Sequence, residues 1–259
     1  MHVVVVTKST PDTAAKVTVD ASGKPTWTEA MVINPWDEYA VTEAVLLKEA
    51  HKGQATILTV GTEEHNEALK QGLAIGLDQA ARVWDDALVG ADSLLYAKAV
   101  AAAIQKLGNA DLVIFGKEFA DLGSDVHVYQ VARKLGYAVL GSVSKIVEID
   151  FAAKTIKVER MLEQGKQIVT SKLPAVIAVL KDINEPKYPS FIGIRKAAKA
   201  EIPVWSLADL GLDAGTRQTQ VSAYTNPPKI EGEVEIIEGA SAAEKAAKLA
   251  DKLIEAKVI

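Results

Sequence analysis

Residues His2 to Thr7, HVVVVT, are β-branched and apolar with no polar side chain between the valines. A half-buried strand alternates apolar and polar residues. An unbroken run therefore requires apolar packing on both faces, the condition of a central strand in a parallel sheet covered by helices on each side. The chain that follows meets this demand. A polar stretch with Gly23-Lys24-Pro25 reads as a small hairpin, and Asn34-Pro35 opens a helix from about Trp36 to Lys52. Gln54 to Val60 is a second strand, Glu63 to Ile75 a helix ending at Gly76, and Ala80 to Trp84 a short strand. Leu94 to Leu107 is an Ala-rich helix ending at Gly108, and Leu112 to Gly116 another buried strand. The order predicts an α/β fold, a doubly wound, mostly parallel sheet of Rossmann-like type.

A further helix is expected from Asp121 to Leu135. After Gly136 the texture changes to alternating strands at about 141–149, 154–161, 166–172 and 174–180, which predicts antiparallel pairing. The end is a polar arm through Asn226-Pro227-Pro228 and an amphipathic helix from Ser241 to Lys257, opened by a capping box of Ser241 and Glu244. The pattern divides the chain into 1–211, an α/β domain with a loop at 181–199, and 212–259, an arm and helix, with 212–233 as the candidate linker. In the loop, Pro186 and Pro189 stiffen the backbone around Tyr188 and Phe191, and Lys187, Arg195, Lys196 and Lys199 surround them. It reads equally as a docking surface or as a wide turn with its aromatics folded onto the core.

Composition excludes several classes. With no cysteine, thiol nucleophiles, thiolate metal sites and disulfides are out, so redox work must be borrowed from a cofactor. A net charge of -5 with 5% aromatic residues argues against nucleic acid as a partner. No apolar run approaches the ~18 residues of a membrane span, so no direct membrane insertion is expected. The N-terminus has no basic region before its apolar run and reads as a first strand, which places the protein in the cytoplasm or in an organelle matrix.

Ligands of doubly wound sheets sit at the carboxyl ends of the strands, here Lys8 to Thr13, Gly61 to Asn66 and Gly116 to His127. The last, GKEFADLGSDVH, has Gly116 and Gly123 for close backbone approach, Ser124 as a hydroxyl, and a helix start that favours an anion. It reads as a nucleotide phosphate loop, although it has neither a Walker pattern nor GxGxxG, and a polar loop that binds nothing is the alternative. His2, His51, His65 and His127 lack metal spacing, so no metal site is expected, and His127 alone falls in a candidate site. No catalytic nucleophile, base and orienting acid declare themselves. Asp37 and Glu38 read as an acid and base pair or as first-turn carboxylates facing the helix dipole, the second being favoured for Glu38.

Taken in order, these segments resemble the beta subunit of electron transfer flavoprotein. The resemblance runs through Lys8, Pro11, Asp12 and Thr13; Asn34-Pro35-Trp36-Asp37-Glu38; Gly61 with ALKQGLAIGLD; DLVIFGK ending at Lys117; Val158-Glu159-Arg160; and KLPAVIAVLKDINEPKYPSFIGIRKAAK with Asn184-Glu185-Pro186-Lys187-Tyr188. It implies an adenine-nucleotide-binding sheet and an electron carrier subunit rather than an enzyme. The partner would be an alpha subunit holding FAD, and the pair would shuttle electrons from flavin dehydrogenases, such as those for acyl-CoA, to a quinone reductase or similar acceptor. The family's beta subunit holds AMP, or a second FAD in electron-bifurcating members. Carried onto this sequence, that site falls on Val6, Asn34, Pro35, Trp36, Asp37, Val60, Gly116, Lys117, Glu118, Asp121, Gly123, Ser124, Asp125 and His127. Partner docking falls on Asn184, Glu185, Pro186, Tyr188, Phe191, Arg195 and Lys196, with Phe191 as the apolar anchor, and 212–259 would pack on the partner subunit.

Two departures stand out: Val126 and Val128 replace the family's Gln and Gly in the phosphate loop, and Met161-Leu162 follows Glu159-Arg160 where an acidic residue is common. A reading of another class is a stand-alone ATP-binding stress or signalling module. It leaves the antiparallel section and the 181–199 loop without purpose. A nucleotide-hydrolysing enzyme would need a phosphate-loop lysine motif and a base that the chain does not display.

Overall fold

The computed structural model describes residues 1–108, 110–228, 232 and 234–259. These form two units, 1–224 and 225–259. Through the first runs a nine-stranded sheet. An interior strand of it is β1 (His2–Thr7), whose four valines are wholly buried, as an unalternating run requires. Two small antiparallel pairs follow, β2 (Ser9–Pro11) with β5 (Met31–Ile33), and β3 (Thr18–Val19) with β4 (Pro25–Thr26). The second is the hairpin expected at Gly23-Lys24-Pro25, and its turn is closed by Asp20, whose Oδ1 accepts from the Ser22 and Lys24 N–H groups. Then come α1 (Pro35–His51), β6 (Gln54–Val60), α2 (Asn66–Ile75), β7 (Gln79–Val83), α3 (Ser93–Lys106), β8 (Leu112–Gly116) and α4 (Val126–Leu135). The remainder is β9 (Ala138–Asp150), β10 (Thr155–Leu162), β11 (Gly165–Lys172), β12 (Ala175–Val179), α5 (Phe191–Ala197), β13 (Val204–Trp205) and α6 (Ala242–Glu255).

The strand order is β11-β10-β9-β12-β8-β1-β6-β7-β13, parallel from β12 to β13. Apolar clusters lie on both faces. Val3, Val5, Ile57 and Ile114 pack with Val41, Val45 and Leu69 of α1 and α2, while Val4, Val6, Leu58 and Val113 pack with Val100, Ile104 and Val131 of α3 and α4. The sheet is doubly wound, as the sequence predicts. Because β1 is flanked by β6 on one side and β8 on the other, the winding reverses there, and a crevice opens at the carboxyl ends of β1 and β8.

Three expectations need correction. The segment at 174–180 does not join an antiparallel section: β12 is inserted between β8 and β9 and pairs parallel with both. Its five residues are all buried, so it belongs to the same class of run as β1. Strand β9 reaches from 138 to 150 and changes partner along its length, parallel to β12 through Ala138–Val143 and antiparallel to β10 through Val143–Asp150. The helix expected from Asp121 starts at Val126 instead. The Gly123 N–H donates to the Phe119 carbonyl (2.8 Å), and its left-handed φ of 56° is one that a right-handed helix cannot continue through.

Residues 212–224, read from sequence as the start of the arm, lie within the first unit. The Gln218 and Thr219 N–H groups donate to Asp92 Oδ2 at 2.6 and 3.2 Å. Positions 229–231 and 233 of the expected linker lie outside the described residues. In the second unit, Ser241 caps α6 by accepting from the Glu244 N–H (3.2 Å), the first half of the expected capping box, while the Glu244 carboxylate accepts from the Ala240 N–H (2.9 Å), one residue before the N-cap N–H that a full box engages. Among the described residues no helix is long and apolar enough to cross a membrane.

Candidate functional site

At the switch point the end of β1, the end of β8 and the first turn of α1 meet on one buried carboxylate. Asp37 Oδ2 accepts from Thr7 Oγ1 (2.9 Å) and the Lys8 N–H (3.2 Å), and Oδ1 accepts from the Gly116 N–H (3.2 Å). Burial pushes its carboxyl up to about 7, against the pull of these donors. Glu38, beside it, is half-buried, near the Gln71 amide, and also raised by burial. Asn34 sits at the N-cap of α1, yet its side chain does not cap the helix. Its amide donates to the Glu118 carbonyl (2.9 Å) and accepts from the Ala120 N–H (3.1 Å), tying the loop after β8 to the start of α1.

Gly116, expected from sequence for its close approach to a ligand, is also required by packing. A Cβ there would lie 2.5 Å from Asp37 Oδ1 and 2.6 Å from the Trp36 backbone. Helix and strand meet too closely for any side chain. Gly116→Ala is therefore expected to lower stability by about 1–3 kcal/mol, read as a shift in the urea midpoint; an unchanged midpoint would mean that the junction can open freely.

Beside this brace lies a cavity of about 190 Å³ lined by Lys8, Val60, His65, Ala91, Asp92, Ser93, Tyr96, Phe119, Leu122, Ser124 and His127. Its wall is aromatic. Phe119 and His127 stack at 3.9 Å with planes 5° apart, and Tyr96 stands edge-on to both. The buried Tyr96 hydroxyl has no hydrogen-bond partner among the described residues. Burial, with the charge of Lys8, lowers His127 to about 3 and His65 to about 4, so both rings are neutral at physiological pH. His65 Nδ1 accepts from the Ser9 N–H (2.9 Å). Lys8 Nζ pairs with Asp121 Oδ2 at 2.7 Å and lies 5.0 Å from the centre of the Phe119 ring.

The site residues expected from sequence thus divide. Val60, Ser124 and His127 line the cavity, Asp121 meets it through Lys8, and Asn34, Pro35, Asp37, Gly116 and Glu118 build the brace beside it. Val6 is wholly buried in the core with α3 and α4, Trp36 and Lys117 contact each other with Nζ 5.1 Å from the indole, and Asp125 is exposed at the head of α4. Val128 turns into the core, and its N–H donates to the Asp125 carbonyl (3.0 Å). Sequence reasoning missed Tyr96 and Ser93 altogether, and it marked the segments that hold Lys8, His65 and Phe119 without singling these residues out. Phe119, a large aromatic within a polar loop, was the available signal.

The 181–199 segment is anchored and carries the helix α5. The Asn184 amide donates to the Tyr39 carbonyl (3.0 Å) and to Glu43 Oε2 (2.9 Å), and the Lys187 N–H donates to Thr42 Oγ1 (3.0 Å). Ser190 caps α5, and Gly193 lies so close to α2 that a Cβ would be 2.1 Å from the Ala74 carbonyl oxygen. Held this way, the segment presents Tyr188, Phe191 and Ile192 with 92%, 83% and 82% of their surface exposed. The aromatics do not fold back onto the core. Pro186 is half-buried, while Glu185, Arg195 and Lys196 are exposed.

Comparison with known proteins places this geometry in a family. The electron transfer flavoprotein domain matches residues 28–210. Protein FixA of Azorhizobium caulinodans is 34% identical over 224 residues, covering 82% of this chain and 78% of its own. The caffeyl-CoA reductase-Etf complex subunit CarD of Acetobacterium woodii is 30% identical over 267 aligned positions, covering all of both chains. The electron transfer flavoprotein subunit beta of Mycobacterium bovis is 32% identical over 252, covering 92% of this chain and 93% of its own. With the doubly wound sheet and the matched span, these relatives show that the chain belongs to the electron transfer flavoprotein family, as a subunit of the beta type.

Proposed function

We propose that this chain is the beta subunit of a heterodimeric electron transfer flavoprotein, an electron carrier rather than an enzyme. An alpha subunit holds FAD, and the pair takes electrons from flavin dehydrogenases, such as those acting on acyl-CoA, to a quinone reductase or similar acceptor. The observation that carries the reading is α5: an apolar cluster of Tyr188, Phe191 and Ile192 held out from the surface by a tightly anchored segment, with Arg195 and Lys196 beside it. Contiguous exposed apolar surface rimmed by charge marks a protein contact. Phe191 is its anchor, and the segment 212–259 is the region we assign to the alpha subunit's surface.

The cavity fits an adenine mononucleotide in its wall chemistry. Stacked aromatic rings suit a base, and the unpartnered Tyr96 hydroxyl gives a buried polar contact. At about 190 Å³ it is smaller than the roughly 300–1,000 Å³ of drug-sized ligand sites, room for the base of a mononucleotide rather than for the whole of a dinucleotide such as FAD. AMP here is structural: the residues of the wall and brace hold it, and no step of electron transfer passes through them. A second reading draws on the full-length match to a subunit of a caffeyl-CoA reductase complex, which supports a pair bound to one CoA-ester reductase and carrying a second FAD in the bifurcating manner.

Co-expression with an alpha-type subunit is the test. A yellow heterodimer with one FAD and one AMP is expected; two FAD without AMP would replace the first reading by the second, and failure to form the pair would sink both.

A further inference from the structure

On the reading that the cavity takes an adenine nucleotide, we propose that Lys8 is the residue that holds the nucleotide's phosphate, and that Asp121 is a stand-in anion which the phosphate must displace. Lys8 is the only lysine or arginine among the described residues lining the cavity. Its side chain is 15% exposed, and its ammonium already pairs with a carboxylate at 2.7 Å. The Ser93, Ser124 and Tyr96 hydroxyls can add neutral hydrogen bonds to a phosphate, but no other group of the wall matches its charge. His65 and His127 are neutral, and Asp92 adds negative charge while both its oxygens are engaged, Oδ1 by the Leu95 N–H (2.8 Å) and Oδ2 by Gln218 and Thr219. The Val128 N–H, in the first turn of α4, is engaged by Asp125.

A phosphate entering this site therefore meets one cation whose charge is already matched. Two features let it compete. The Asp121 side chain is 26% exposed and stands on the turn closed by Gly123, so it can exchange Lys8 for water. A phosphate monoester carries up to two charges and three acceptor oxygens against one charge on the carboxylate. The Lys8–Asp121 pair then acts as a latch that sets affinity: binding the base leaves it closed, and binding the phosphate opens it.

Titration calorimetry of the chain with AMP and with adenosine separates these contributions. Wild type should prefer AMP. Asp121→Asn should tighten AMP by about five- to tenfold, the scale of one charge-assisted hydrogen bond, and leave adenosine unchanged. Lys8→Gln should erase the preference for AMP over adenosine, and Lys8→Arg should keep it; should Lys8→Gln fail to fold, the Asp121→Asn and Lys8→Arg arms decide. An Asp121→Asn protein with unaltered AMP affinity, or one that moves AMP and adenosine together, would overturn the latch while the nucleotide reading stands. Binding of neither ligand by any form would remove the nucleotide reading itself and the latch with it.

Discussion

Asp37→Ala is expected to destabilise the protein by about 3–5 kcal/mol, the upper range for breaking a buried hydrogen-bond network and leaving its donors unsatisfied. The carboxylate is 1% exposed and accepts from three donors contributed by the end of β1 and the end of β8. Alanine would leave the Thr7 hydroxyl and the Lys8 and Gly116 N–H groups unpaired in a buried junction. The same residue gives stability a pH dependence of unusual sign. Its pKa rises from 3.8 to about 7 on folding, so between those values the folded state holds a proton that the unfolded chain releases. This group therefore favours the folded state more as pH falls from about 7 towards 4, and the benefit is lost as pH rises through the folded value, with a limiting slope of about 1.4 kcal/mol per pH unit. A salt-bridged carboxylate would do the opposite. Urea unfolding at pH 6 and pH 8 should show the wild type losing more stability at the higher pH than Asp37→Asn does, and superimposable pH profiles for the two would remove the assignment.

The same junction shows what a sequence of this kind displays and what it hides. Runs such as His2–Thr7 and Leu112–Gly116 are legible because burial on both faces leaves no polar position in them, and Ser241 with Glu244 is legible because capping is local. Strand β12 was misread because AVIAV is short and follows alternating strands, and nothing local distinguishes insertion beside β8 from pairing in a meander. The partner change along β9 is equally a property of the whole sheet. In the site, Asn34, Asp37 and Gly116 were named for a ligand, and the brace that Asp37 makes with Gly116 and Asn34 with the loop after β8 was not foreseen, since a residue at a strand end has the same appearance in either role. The cavity wall was least legible. Tyr96 comes from the first turn of an Ala-rich helix and His65 from a short turn after β6, and only the packing of α3 and the order of the sheet bring them to the cavity walled by Phe119 and His127.

Phe191→Ala is expected to lower the rate at which a partner dehydrogenase reduces the heterodimer by tenfold or more, about the effect of removing a hot-spot side chain worth ~2 kcal/mol. Stopped-flow reduction at concentrations below saturation reads this directly. The ring is 83% exposed and its helix is positioned by other groups: the Ser190 cap, the approach of Gly193 to Ala74, and Asn184 on α1. Heterodimer yield, bound nucleotide and thermal midpoint should consequently match the wild type. That separation gives the experiment its force. A buried aromatic would confound docking with folding, whereas an exposed one has almost no packing to lose, so a slower reduction at constant assembly can only be a loss at the contact with the dehydrogenase. Unchanged reduction kinetics would take the anchor away from Phe191 and leave Tyr188 and Ile192, the other exposed members of the cluster, as the groups to replace in turn.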